Sequence, residues 1–176
     1  MPLVYGALLG DTHPGRVSEV ALYDVDESRL AGIAGVLTQM RAGHPEPPAV
    51  HATGNLDEAL GGADFVFSAI RVGGVASRTT DERVALSLGV LGQETTGPGG
   101  LAYALRTVPE AVRIAERIRA CAPQAWTINF TNPAGIVTEA MQAVLGDRVV
   151  GGLDLAAEGD GDPAFQRQRA HFGAGP

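Results

Sequence analysis

Asn129, Thr131 and Asn132 follow an apolar, β-prone run that starts at Trp126, and they stand immediately before Pro133. Two amides flanking a hydroxyl offer several hydrogen-bond donors and acceptors at the tip of one strand. Pro133 suits the first position of a helix, where its missing N–H costs nothing. Asn132 then reads as the N-cap, and Ile136, Val137 and Ala140 share a helical face. An ordinary N-cap explains Asn132 on local grounds. The second amide at Asn129 favours a ligand site, because ligands of open α/β sheets collect outside the carboxyl ends of the strands. Cys121, just upstream, reads as a buried structural thiol at the end of a helix.

Other residues fit the same kind of site. Asp24 ends an apolar run, Glu19-Val20-Ala21-Leu22-Tyr23-Asp24. An acid at such a strand end binds an adenosine ribose, about 20 residues past a glycine-rich turn. Its alternative is a partner to a helix N-cap. Arg71 opens Arg71-Val72-Gly73-Gly74 directly after the clearest strand of the chain, residues 64–70. Glu94 lies in a polar loop, Gly92-Gln93-Glu94-Thr95-Thr96-Gly97-Pro98-Gly99-Gly100.

The elements that must position these residues alternate. Residues 2–9 read as a short apolar helix. Strands are expected over 19–24, 49–53, 64–70 and 148–151, with another starting at Trp126 and running into the polar tip that Asn129 begins. Asp26 caps a helix over 27–40 whose inner face is Leu30, Ile33, Ala34 and Leu37, and Asn55 caps a short one over 56–60. Further helices are expected over 75–88, 101–120 and from Pro133 to about Leu145. The long one should bury Leu101, Leu105, Val108, Val112, Ala115 and Ile118 and should kink at Pro109. Strands alternating with helices imply parallel βαβ units and a Rossmann-like, doubly wound, mostly parallel α/β sheet. No G-x-G-x-x-G follows a first strand, so the expected fold lacks its first strand and glycine loop. Residues 1–152 read as an incomplete NAD-binding domain and 153–176 as a divergent tail.

Composition narrows the class. The 176 residues are 45% hydrophobic, enough for a real core, and carry a net charge of -7. An acidic balance without a Lys/Arg cluster argues against nucleic acid as a partner. A single cysteine fits a reducing, cytoplasmic setting. No apolar run is long enough to span a membrane, so none is expected as a partner. His13, His44, His51 and His171 share no ligand spacing and read as surface or packing residues. Trp126 and Phe130 read as core. Arg78, Asp81, Glu82 and Arg83 read as a solvated helix face.

The 92–100 loop and the Asn129-Phe130-Thr131-Asn132-Pro133-Ala134-Gly135-Ile136-Val137-Thr138-Glu139 stretch together resemble the signature segments of glycoside hydrolase family 4. Leu22-Tyr23-Asp24-Val25-Asp26 and Ile70-Arg71-Val72-Gly73-Gly74 match as well, so the resemblance runs from Pro2 to Gly151. The resemblance implies an NAD- and divalent-metal-dependent glycosidase, outside the usual two-carboxylate scheme. It acts on sugars or sugar phosphates, most closely 6-phospho-β-glucosides, by elimination and addition. Hydride leaves C3 for NAD⁺, a tyrosine base takes the C2 proton, and the hydride returns after water adds. The metal is manganese, with nickel, cobalt or iron as substitutes, and the intact protein is a homo-oligomer. Matching residues would place Asp24, Ile70, Arg71, Asn129 and Thr131 on the cofactor. Arg71, Glu94 and Asn132 would lie on the substrate, with Gln93 and Thr95 lining the loop. A solvated loop arginine is the alternative for Arg71, and a surface carboxylate for Glu94.

Departures from the family pattern sharpen the expectation. Where the family has a metal-binding cysteine this chain has Leu153, which cannot ligate a cation, followed by a matching Asp154. No catalytic residue or metal ligand is identified, so the chain by itself is expected to be inactive. Two other readings stay open. One is a relative of 2-hydroxy-acid dehydrogenases, whose strand tips resemble Thr131-Asn132-Pro133. The other is a non-catalytic remnant of a nucleotide fold.

Overall fold

A computed structural model describes residues 1–151, which fall into two compact units divided between Ala63 and Asp64. The expectations for Leu153, Asp154, His171 and the 153–176 tail lie outside the described residues.

The first unit contains α1 (Pro2–Leu9), β1 (Glu19–Tyr23), α2 (Glu27–Met40), β2 (Ala49–Thr53) and α3 (Leu56–Leu60). β1 and β2 pair in parallel, Glu19 opposite Ala49 through Tyr23 opposite Thr53. Local chemistry sets the helix starts as expected. The Asp26 carboxylate accepts from Arg29 N at 3.0 Å, and Asn55 Oδ1 accepts from Asp57 N at 3.0 Å. Tyr5, Leu22, Leu30 and Leu37 form the buried centre, with Val20, Ile33, Ala34 and Val50 packed against it. The Tyr5 hydroxyl is itself buried and donates to the carbonyl of Pro48 at 2.8 Å, tying α1 to the entry of β2.

The second unit contains β3 (Phe65–Ser68), α4 (Gly74–Ser87), α5 (Gly97–Cys121), β4 (Trp126–Asn129), α6 (Ala134–Leu145), a 3₁₀ turn (Gly146–Arg148) and β5 (Val149–Gly151). Its sheet runs β3-β4-β5, all parallel, with Phe65 opposite Trp126 and Thr127 opposite Val149. Within each unit neighbouring strands pair in parallel, as in doubly wound folds. Among the described residues no helix is long and apolar enough to cross a membrane.

Several expectations need correction. α5 starts at Gly97, four residues before the expected Leu101, because Pro98 fits its first turn. Its buried line is Tyr103, Ala104, Thr107, Ala111, Ile114, Ala115 and Ile118. Leu101 and Leu105 are instead 57% and 69% exposed. Small side chains let α5 approach α4 and α6 closely, so the buried face was not the one with the largest residues. Pro109 lies on the exposed side, and the helix continues through it. Phe130 is half exposed and stacks on Phe67 with ring centroids 4.9 Å apart, so it is not core. Cys121 is only partly buried, with Arg117 Nη2 at 3.7 Å from its sulfur. Asn132 is not the N-cap. That position belongs to Pro133, and the Asn132–Pro133 peptide is cis.

Candidate functional site

The site of the second unit is built from the way two neighbouring strands end. β3 stops at Ser68, and the next backbone groups turn to side chains. Ile70 N donates to Thr131 Oγ1 at 3.1 Å, and Phe130 N donates to the Ser68 carbonyl at 2.7 Å. The Ser68 and Thr131 hydroxyls lie 3.5 Å apart. These contacts join the exit of β3 to the exit of β4, so the residues that follow each strand emerge side by side.

Asn129 fixes the β4 exit from below. It is fully buried, and its Oδ1 accepts from Thr131 N at 2.9 Å. Its Nδ2 donates to Thr138 Oγ1 at 3.0 Å and also lies 3.4 Å from the carbonyls of Ala134 and Thr131. The amide therefore locks strand, tip and first turn of α6 together. Asn129 and Thr131 were expected to touch the cofactor directly. In this structure their side-chain polar atoms bond to Thr131 N, Thr138 Oγ1 and Ile70 N, contacts that hold the two strand exits together.

Above this turn the chain brings Arg71, Glu94 and Asn132 together. Glu94 Oε1 accepts from Asn132 Nδ2 at 2.7 Å. Glu94 Oε2 accepts from Arg71 Nη1 at 2.7 Å and lies 3.0 Å from Arg78 Nη1. The Glu94 side chain is only 13% exposed. Burial works to raise its carboxyl pKa. The hydrogen bonds from Arg71 and Asn132 and the charges of Arg71 and Arg78 outweigh burial and hold it below the ordinary glutamate value.

Close packing explains the glycines of the loop that carries Glu94. A Cβ on Gly99 would stand 2.7 Å from the Gln93 carbonyl oxygen, and one on Gly100 2.6 Å from the Thr95 carbonyl carbon. Gln93 closes the loop by donating from its side chain to the Thr96 hydroxyl.

Sequence reasoning missed a second ring of residues. Arg78, expected on a solvated face, pairs with Glu94 and with Glu82 Oε1 at 2.8 Å. Asp81, on the same helix, pairs with Arg106. Tyr103 is 2% exposed and lies beneath the guanidinium groups of Arg71 and Arg106. Arg78–Glu82 and Tyr103–Arg106 are pairs one helical turn apart, but Arg78 to Glu94 and Asp81 to Arg106 join segments that no local pattern links.

In the first unit, Asp24 stands just past the carboxyl end of β1. Its Oδ1 accepts from Asp26 N at 2.9 Å, and Arg29 approaches its Oδ2 at 4.0 Å. The side chain is 31% exposed. Among the described residues no group of three or more His, Cys, Asp or Glu side chains is placed to hold a metal ion. His13, His44 and His51 are all exposed, as expected.

Comparison with known proteins bears on this geometry. The profile described as "Family 4 glycosyl hydrolase" matches residues 5–155. A probable 6-phospho-β-glucosidase of Bacillus subtilis is 46% identical over 129 residues, 71% of this chain and 29% of its own length. The 6-phospho-β-glucosidase of Escherichia coli is 44% identical over 131 residues, 73% of this chain and again 29% of its own length. This chain thus spans about three tenths of the length of these curated relatives. Among solved structures, the 6-phospho-β-glucosidase of Thermotoga maritima with manganese, NAD⁺ and glucose-6-phosphate superposes with a TM-score of 0.80. That match has 27% identity and covers 99% of this chain and 40% of the other.

Proposed function

This chain belongs to glycosyl hydrolase family 4, and we propose that it supplies the dinucleotide-binding part of a glycosidase that cleaves 6-phospho-β-glucosides. The observation that carries this reading is the meeting of Arg71, Asn132 and Arg78 on one partly buried carboxylate, Glu94, beside the carboxyl ends of β3 and β4. The relatives' names and the ligands of the Thermotoga structure support the substrate class and the cofactors. A cytoplasmic, homo-oligomeric enzyme is part of the same proposal.

NAD, when bound, supplies the hydride exchange at the sugar that makes this class of cleavage possible. The chain's own residues bind and orient. Glu94, kept ionised by its neighbours, accepts hydrogen bonds from sugar hydroxyls. Asn132 Nδ2 and the Arg71 guanidinium donate to the same sugar, and Ile70 and Arg71 would border the cofactor. The Asp24 carboxylate accepts from a ribose hydroxyl. Asn129 and Thr131 serve the cofactor side by fixing the strand tip rather than by contact. The described residues do not provide a ligand set for the divalent metal, so no step through it is assigned to them.

Calorimetric titration with glucose 6-phosphate tests the reading. Wild type should bind, and Glu94→Gln should weaken binding roughly 10- to 100-fold, as expected for hydrogen bonds to a charged group. NAD⁺ binding should be unchanged by this substitution. No glucose 6-phosphate binding, or equal binding by the variant, would overturn the assignment.

A further inference from the structure

We propose that Arg106 is a positioning residue that sets the place from which Arg71 reaches Glu94, and hence the sugar. The inference rests on the function proposed above only for the word sugar. Arg106 sits on α5 and bridges three parts of the unit. Its Nη1 and Nη2 donate to Asp81 Oδ1 and Oδ2 of α4 at 3.3 and 2.5 Å. Its Nε donates to the carbonyl of Val72 at 3.1 Å, in the turn that directly follows Arg71. Its guanidinium lies 5.3 Å from the centre of the Tyr103 ring, and the Arg71 guanidinium lies 6.0 Å from the same centre.

The turn is shaped to receive this contact. Gly73 has φ of +78°, and a Cβ there would fall 2.3 Å from Ser77 Oγ and 3.1 Å from Arg106 Nε. The backbone of the turn therefore packs directly against the Arg106 fork. The Asp81 side chain is 12% exposed and holds that fork with two hydrogen bonds, a geometry that fixes orientation as well as charge. Lysine has one ammonium in place of the planar fork, so it cannot span the Asp81 carboxylate and the Val72 carbonyl in the same way. A purely structural pair would tie α4 to α5 and leave Arg71 where it is.

The test follows the Glu94 carboxyl carbon by ¹³C NMR titration in the full chain, where Arg71, Arg78 and Asn132 set its behaviour and Tyr103 lies nearby. Arg71→Gln should raise the Glu94 midpoint toward the ordinary glutamate value. Arg106→Lys keeps the charge, so it isolates geometry, and it should raise the midpoint in the same direction. The double variant should go no further than Arg71→Gln by itself. Asp81→Asn, which loosens the fork without touching Arg106, should act like Arg106→Lys. Circular dichroism checks that each variant is folded, and either of the last two variants can decide the matter. A midpoint unchanged in both, or effects of Arg71 and Arg106 that simply add, would overturn the proposal.

Titration with glucose 6-phosphate separates the two claims. If wild type fails to bind it, the proposed function falls while the NMR coupling still decides the role of Arg106. If wild type binds, Arg106→Lys should lose affinity in the same direction as Arg71→Gln.

Discussion

Replacing Asn129 by alanine should cost about 3–5 kcal/mol of folding stability. The side chain is fully buried and makes two well-formed bonds, from Thr131 N at 2.9 Å and to Thr138 Oγ1 at 3.0 Å. Each such bond contributes roughly 1 kcal/mol net, and a buried group left without its partner costs about 1–3 kcal/mol more. The longer contacts to the Ala134 and Thr131 carbonyls add little. Urea denaturation followed by circular dichroism measures the change. Thr138→Ala provides the partner, and the pair should show a coupling of about 1 kcal/mol in a double-mutant cycle. A loss below about 0.5 kcal/mol, the level of an ordinary surface substitution, would refute the view that Asn129 locks the strand tip. So would a Thr138→Ala effect that stays at full size in the Asn129→Ala background.

Other outcomes follow from the same structure. Gly100→Ala should destabilise by about 1–3 kcal/mol, because its Cβ would press on the Thr95 backbone. Gly32→Ala, in α2 with nothing within 4 Å, should stabilise by about 0.5–1 kcal/mol; thermal melts compare the two. The Thr127 hydroxyl is buried without a hydrogen-bond partner among the described residues. Thr127→Val should therefore raise stability by roughly 1 kcal/mol in urea melts, and a loss would mean the hydroxyl has a role not seen here. Glu94 titrates below its ordinary value in the folded chain. Its contribution is therefore full above the unfolded glutamate value of about 4.3 and is lost as pH falls through the lower folded value. Urea midpoints of wild type and Glu94→Gln should converge between pH 6 and pH 3, and a gap that widens on acidification would contradict this.

Much of the fold could be read from short-range chemistry. Asp26 and Asn55 cap the helices they precede because an acceptor two or three residues before a free N–H acts wherever it occurs. β1 and β2 were clear because apolar β-prone runs need little context. The errors arose where packing overrode local pattern. Leu101 and Leu105 had the right spacing for a buried stripe, but the buried face instead carries Gly99, Gly100, Tyr103, Ala104 and Thr107, the two glycines lying where the backbone of Gln93 and Thr95 leaves no space for a side chain. The site divides in the same way. Arg71, Glu94 and Asn132 were identifiable from the family's motifs, and they do converge. Arg78, Tyr103 and Arg106 belong to the same network through contacts spanning 16 to 34 residues of sequence, such as Arg106 to Val72. No window along the chain carries that information. Asn129 shows a third case: its residue type suggested a ligand contact, and only its burial showed that its amide serves the backbone.

The central claim is that Arg71, Glu94 and Asn132 form one sugar-binding cluster. Adding glucose 6-phosphate while recording side-chain NMR signals of the Asn132 amide, the Arg71 guanidinium and the Glu94 carboxyl tests it most directly. The claim predicts that all three signals move together along one binding curve, and that the signal of the Asp24 carboxyl, which lies in the other unit, stays where it is. Signals that remain still at saturating ligand, or that shift at different concentrations, would contradict it.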